Sequence, residues 1–173
     1  RVKQGRRQIG STFKPFLYAT AIDQLKLSPC DSLPDALYCI EPRKHGNTSA
    51  WCPKNSGDRY GQTRTLKNAL ANSVNTISAR IMDLVGPQPV INLARKMGIS
   101  SYLPPVPSIA LGTPDISLFE MVGAYSTFAN QGIYVKPIMI TRIEDKNGRA
   151  LYEVVPVSKD VLSEEAALSL IHI

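Results

Sequence analysis

Apolar residues recur at helical spacing near the start of the chain. Phe13, Phe16, Leu17, Ala21 and Ile22 fall on one broad face, which predicts a buried helix over 11–26. Pro15 is compatible with that helix only because it lies in or beside the first turn, where a missing amide costs little. The next stretch, 28–63, is rich in Pro, Gly, Asn and Asp and reads as a long ordered loop, of the kind that often walls a binding cleft. Helical patterns return at 65–72, 76–85 and 88–97, with Gly86 and Gly98 as the last two stops. A proline-rich loop covers 102–112. Ser117 and Glu120 form a capping box that opens a helix to about Asn130, in which Leu118, Met121, Tyr125 and Phe128 are expected in the core. Strand patterns at 138–144 and 151–155 flank Asn147-Gly148, a signal for a type I′ hairpin turn. A last helix opens at Ser163 with acidic residues in its first turn. The residues themselves thus describe an α-rich piece of an α+β domain.

Composition narrows the class only a little. The chain has 173 residues, enough to bury one core, and its 43% hydrophobic and 20% charged content is ordinary for a globular domain. No apolar run is long enough to cross a bilayer. The net charge of +6 suits an anionic wall or membrane surface, and it suits solubility alone equally well. Lys3, Arg6 and Arg7 cluster without interleaved aromatics, so no nucleic-acid partner is expected. There is no internal repeat.

Candidate chemistry begins at Ser11-Thr12-Phe13-Lys14. A serine hydroxyl is a weak nucleophile and needs a neighbour to take its proton. Lys14, three residues on, lies on the same helical face, so its amine can reach the Ser11 hydroxyl. Partial burial lowers a lysine pKa and favours the neutral amine that acts as a base. Gly10 supplies the backbone freedom needed to turn tightly into the helix. Ser73-Val74-Asn75 reads as a short loop between helices: Ser73 could relay a proton and the Asn75 amide can donate and accept, or both could merely cap the next helix.

Cys30, Cys39 and Cys52 lie in one loop-rich stretch. In an oxidising compartment two of them pair and one is left over, as Cys39 with Cys52 or Cys30 with Cys39. A zinc site is not expected, since C-x-x-C is missing and His45 is the only nearby histidine. With His172 in the tail as the other histidine, no histidine triad is expected, and no metal or cofactor is called for.

Gly10-Ser11-Thr12-Phe13-Lys14-Pro15-Phe16, Trp51-Cys52-Pro53-Lys54-Asn55 and Leu66-Lys67-Asn68-Ala69-Leu70-Ala71-Asn72-Ser73-Val74-Asn75-Thr76 together resemble the transpeptidase domain of class A penicillin-binding proteins. Ile109-Ala110-Leu111-Gly112 and Ala124 to Gly132 follow in the family's order, so the resemblance runs from about Gly5 to about Tyr152. The stretch with Cys30 and Cys39 looks most like Bacteroidetes members. The resemblance implies Ser11 as the acylated serine, Lys14 as its base, Ser73 as proton shuttle to the leaving amine, and Asn75 as a ligand of the substrate's peptide amide. It implies a peptidoglycan D,D-transpeptidase that takes D-alanyl-D-alanine stem peptides through an acyl-enzyme, is inhibited by beta-lactams, and works at the periplasmic face of the inner membrane. Class A members also resemble bifunctional enzymes with a glycosyltransferase domain and a membrane anchor, neither of which is expected within this stretch. The family's central antiparallel sheet carries the active site on its edge.

The family's third motif, Lys-Thr-Gly or Lys-Ser-Gly, is missing. Lys146-Asn147-Gly148 is the nearest string, and a turn tip lacks the straight edge that binds an extended peptide. The chain, 1–173, is therefore expected to be a partial domain that stops before this motif, with 169–173 as a non-native tail. Such a fragment is expected to be inactive alone, poorly soluble, and to leave one face of the nucleophile helix uncovered. Two alternatives remain. A serine beta-lactamase of the commonest class needs a glutamate some thirty to forty residues beyond the second motif, and 99–118 contains no Glu. A penicillin-recognising sensor would bind drug without cross-linking.

Overall fold

The computed structural model describes residues 2–173. Six α-helices carry the core: α1 (Lys14–Leu25), α2 (Leu66–Ala71), α3 (Asn75–Val85), α4 (Pro87–Lys96), α5 (Leu118–Ala129) and α6 (Glu164–Ile171). Short strands fill the connections: β1 (Arg6–Gln8), β2 (Ser32–Pro34), β3 (Thr63–Thr65), β4 (Asp115–Ser117), β5 (Ile133–Val135), β6 (Arg142–Glu144), β7 (Ala150–Glu153) and β8 (Ser158–Asp160). They form four separate antiparallel pairs, β1–β4, β2–β3, β5–β8 and β6–β7. The architecture is α+β and helix-dominated, as the sequence pattern implies.

α1 sits at the centre. Phe16, Leu17, Tyr18, Ala19, Thr20, Ala21 and Ile22 are all buried, so the helix is enclosed on nearly every side. α3, α4 and α6 pack around it. The expectation that α1 leaves a face uncovered is therefore wrong. α6 covers it, through buried Ala166 and Ala167 and through Ser163, whose Oγ donates to Asp23 Oδ1 at 2.6 Å. Ser163 holds the N-cap position of α6 but spends its hydroxyl on that tertiary bond rather than on the helix. The uncovered face lies on α5 instead. Leu118 and Tyr125, expected in the core, are 60% and 38% exposed, while Met121 and Phe128 are buried as expected. Leu118, Met121 and Tyr125, with Val2, Ile9 and Val122, line an apolar groove of about 980 Å³.

The start of α1 is reached through a 3-10 turn, Gly10–Phe13, with Gly10 in the left-handed region at φ +57°. This turn is held from behind by the segment after a second 3-10 turn, Pro107–Leu111. Gly10 N donates to Gly112 O at 2.9 Å, and Ile9 N to Pro114 O at 3.3 Å. The two backbones approach so closely that a Cβ on Gly112 would fall 1.8 Å from Gly10 O. Phe16 packs against Phe13, Tyr125 and Phe128 at centroid distances of 5.0, 5.8 and 5.6 Å, and Tyr125 Oη donates to Thr12 O at 2.6 Å. The turn bearing Ser11 is thus clamped on two sides.

The β6–β7 hairpin differs in detail from expectation. Asn147 does not adopt positive φ; only Gly148 does, at +79°. Asp145 O accepts from Gly148 N, and Asp145 Oδ1 accepts from Asn147 N and Arg149 N. The loop is a type I turn followed by a left-handed glycine, in which the aspartate side chain outweighs the Asn-Gly preference for a type I′ turn.

Candidate active site

Lys14 is the first residue of α1, and its side chain is buried although its amine is charged at ordinary pH. Its Nζ donates to Ser73 O at 2.7 Å, Ser73 Oγ at 2.9 Å and Asn75 Oδ1 at 2.7 Å. Burial lowers the lysine pKa from 10.5 to about 8. Two of the three partners, a carbonyl and an amide oxygen, can only accept. A neutral amine has two N–H groups, enough for those two, and its lone pair then faces the Ser73 hydroxyl, which can turn to donate. The cluster accommodates both protonation states of Lys14, with Ser73 as the group that reverses direction.

Ser73 takes an unusual backbone conformation for this geometry. It has φ +54°, a left-handed position that serine rarely adopts, and it turns both its carbonyl and its hydroxyl toward Lys14. The possibility that Ser73 and Asn75 merely cap α3 is excluded: the N-cap is Val74, with no side-chain cap hydrogen bond. Asn75 accepts from Lys14 through Oδ1 and donates through Nδ2 to Lys54 O at 2.8 Å. The reverse amide orientation would set donor against donor and acceptor against acceptor, so the side chain has one stable setting.

Ser11 lies on the exposed 3-10 turn. The structure brings Ser11, Lys14 and Ser73 to one cleft of about 410 Å³, whose rim also includes Leu70, Leu170 and Ile173. Asn75 borders the cluster through Lys14. Among the described residues no hydrogen bond joins Lys14 to Ser11. The three amine protons are already taken by Ser73 and Asn75, and the Ser11 hydroxyl lies in the same cleft without a bond to that amine.

A buried polar network behind the cluster escaped the sequence reading. Asp35 is fully buried and accepts from Arg64 Nε at 2.6 Å, Asn55 Nδ2 at 2.7 Å and Thr76 Oγ1 at 2.8 Å. Burial alone would raise its pKa, but these bonds, Arg64 foremost, hold it below the usual carboxylate range. Asn55 Oδ1 in turn accepts from Asn75 N at 3.0 Å and Thr76 N at 3.1 Å, capping α3 from twenty residues upstream. Asp35 and Asn55 both stand in the 28–63 stretch, but no local pattern pairs them with α3. Cys39 and Cys52 form the disulfide that closes this loop, leaving Cys30 free and exposed.

The glutamate nearest to the position a beta-lactamase needs is Glu120. It accepts from the amides and hydroxyls of Ser100, Ser101 and Ser117, completing the capping box of α5. Burial would raise its pKa, yet these bonds outweigh that and hold it well below the usual carboxylate range. A carboxylate so occupied is a poor base.

Fold and cluster together place a serine beside a buried lysine in one cleft of a helix-dominated α+β domain. A family model described as "Penicillin binding protein transpeptidase domain" matches residues 1–169, and the chain belongs to that family. Penicillin-binding protein 1A of Aquifex aeolicus is 35% identical over 164 residues, covering 94% of this chain and 22% of that protein. Penicillin-binding protein 1A of Neisseria meningitidis is 39% identical over 158 residues, 91% of this chain and 20% of that protein. Among solved structures, penicillin-binding protein 1A from Haemophilus influenzae superposes with a TM-score of 0.86 at 27% identity, over 98% of this chain and 30% of the other. Penicillin-binding protein A of M. tuberculosis, as an imipenem acyl-enzyme complex, shares the fold with a TM-score of 0.84 at 19% identity, over 99% of this chain and 44% of the other. The chain spans about a fifth of the length of the curated relatives it matches.

Proposed function

We propose that this chain is part of a longer class A penicillin-binding protein and carries two of the three elements of its D,D-transpeptidase site. The observation that carries the reading is the buried Lys14 amine held between Ser73 and Asn75 beside the free hydroxyl of Ser11. In the proposed reaction the lone pair of neutral Lys14 turns from the Ser73 hydroxyl to Ser11, whose Oγ loses its proton to it and attacks the carbonyl carbon of the penultimate D-alanine. A C–O bond forms and the carbonyl becomes an oxyanion. The C–N bond to the terminal D-alanine then breaks, and the departing amine takes a proton delivered from Lys14 through Ser73. An acceptor amine on a neighbouring strand reverses these steps: it attacks the ester carbonyl, gives its proton to the base, and releases Ser11. A beta-lactam acylates the same oxygen, its ring nitrogen being the leaving group.

Asn75 is the group proposed to hold the substrate's peptide amide. Its Oδ1 and Nδ2 each keep one hydrogen-bonding site beyond those used by Lys14 and Lys54. The Cys39–Cys52 disulfide fits an oxidising compartment and supports the periplasmic face of the inner membrane as the site of action. A membrane anchor and a peptidoglycan glycosyltransferase domain in the longer protein complete the proposal, by kinship with the 1A relatives.

The occupied state of Glu120, the glutamate nearest the position a deacylating base would need, favours a transferase over a beta-lactamase. The test is made on the full-length protein. It is expected to release D-alanine from a stem pentapeptide while turning over a chromogenic cephalosporin with a half-time of many minutes. Rapid cephalosporin turnover would support a lactamase, and drug binding without D-alanine release a sensor.

A further inference from the structure

We infer that Asn55 is a positioning residue of the active site, fixing the second motif against Lys14 from outside the two motifs; this rests on the function proposed above. The Asn55 carboxamide bridges two layers. Its oxygen accepts from the backbone amides of Asn75 and Thr76, which opens α3 at the angle that aims the Asn75 side chain at Lys14. Its nitrogen donates to Asp35 Oδ1 at 2.7 Å and Arg59 O at 3.0 Å, anchoring it to the buried carboxylate. The preceding carbonyl, that of Lys54, accepts from Asn75 Nδ2. One dipeptide therefore grips both the backbone and the side chain of Asn75.

The segment is itself held. Three residues before Asn55, the Cys52–Cys39 disulfide closes the loop, and Ile40 and Trp51 pair across it with N–O distances of 2.9 and 3.0 Å. Asp35 lies on the other side, fixed by Arg64 and Thr76. The arrangement has two consequences. Asn75 stays in one orientation, so Lys14 keeps an acceptor that it would otherwise find in water. The dipeptide also closes the back of the cluster, and that closure is part of the burial that brings the Lys14 amine to about 8. Loss of the Asn55 amide lets α3 fray at its first turn and admits water to Lys14, whose pKa then climbs back toward 10.5.

The test uses the full-length protein and a fluorescent penicillin, and follows the acylation rate constant against pH together with the melting temperature. Asn55→Ala is expected to lower the rate at pH 7 by about 10- to 100-fold and to move the midpoint of the pH profile upward by about one unit. Tyr38→Phe, which removes a half-buried bond to Asp83 two turns along α3 from Asn75, is expected to lower stability without moving that midpoint. Asn55→Asp sets two carboxylates face to face and is expected to be the most damaging single change. The exchanged pair Asp35→Asn with Asn55→Asp restores a donor opposite an acceptor between the two side chains, though not toward Arg59 O, and is expected to recover part of the rate and of the midpoint shift relative to Asn55→Asp. This last comparison decides the matter even if Asn55→Ala does not fold. An unchanged rate and midpoint in Asn55→Ala, or no recovery in the exchanged pair, would overturn the inference. Absence of any Ser11 acylation in the unaltered protein would instead defeat the proposed function.

Discussion

Lys14 is where sequence, structure and chemistry meet most closely. The lysine must be neutral to act as a base, and burial brings its pKa to about 8. At pH 7 most of it is protonated, so the rate of serine acylation is expected to rise about tenfold per pH unit below 8 and to level off above. A stopped-flow profile with penicillin checks this; a flat rate from pH 6 to 9 would remove Lys14 as the base. The same shift has a stability consequence. Its folded pKa is lower than the 10.5 of the unfolded chain, so between about 8 and 10.5 the unfolded state binds more protons. This group therefore opposes folding below pH 8, and that opposition is relieved as pH rises through the window. The spacing Ser-x-x-Lys was readable in the sequence because its two partners are three residues apart. What it concealed is that Lys14 spends its protons on Ser73 and Asn75, some sixty residues on.

Among the elements, the 3-10 turn of Ser11 depends on a backbone that arrives from a hundred residues away. Gly112 at φ +71° lies directly on Gly10, and a methyl group there would collide with Gly10 O, C and N. Gly112→Ala is expected to push the turn aside, cutting acylation about 10- to 100-fold and costing roughly 1–3 kcal/mol of stability. Paired rate and melting measurements check it; a variant acylated at the normal rate would show that the clamp is dispensable. Helices α2 to α5 were legible within a residue or two, since their caps and stops are local: Thr65, Gly86, Gly98 and the Ser117–Glu120 box. The extra Glu120 bonds to Ser100 and Ser101 were not, because nothing local links those serines to α5. The paired strands β1–β4 and β5–β8 were missed for a related reason, being three-residue ladders between distant segments.

At the scale of the molecule, the instructive error concerns which face lies open. The apolar stripe of α1 suggested a helix awaiting a sheet, but α4 and α6 enclose it. The exposed stripe is on α5, where Leu118, Val122 and Val2 are 60%, 60% and 56% exposed around the 980 Å³ groove. A patch of this kind on an isolated domain promotes association. The chain made alone is expected to bind an environment-sensitive apolar dye and to self-associate. Leu118→Lys with Val122→Lys should suppress both without lowering the melting temperature. In the full-length protein the same pair is expected to destabilise, if further chain packs there. Equal behaviour in both contexts would show that α5 remains bare.

The most direct measurement is the site of covalent attachment. Full-length protein treated with penicillin and digested should yield a single adduct on the peptide bearing Ser11, absent from Ser11→Ala and formed at least about a thousandfold more slowly in Lys14→Ala. An adduct on any other residue, or undiminished acylation in Lys14→Ala, would contradict the assignment of Ser11 and Lys14 as nucleophile and base.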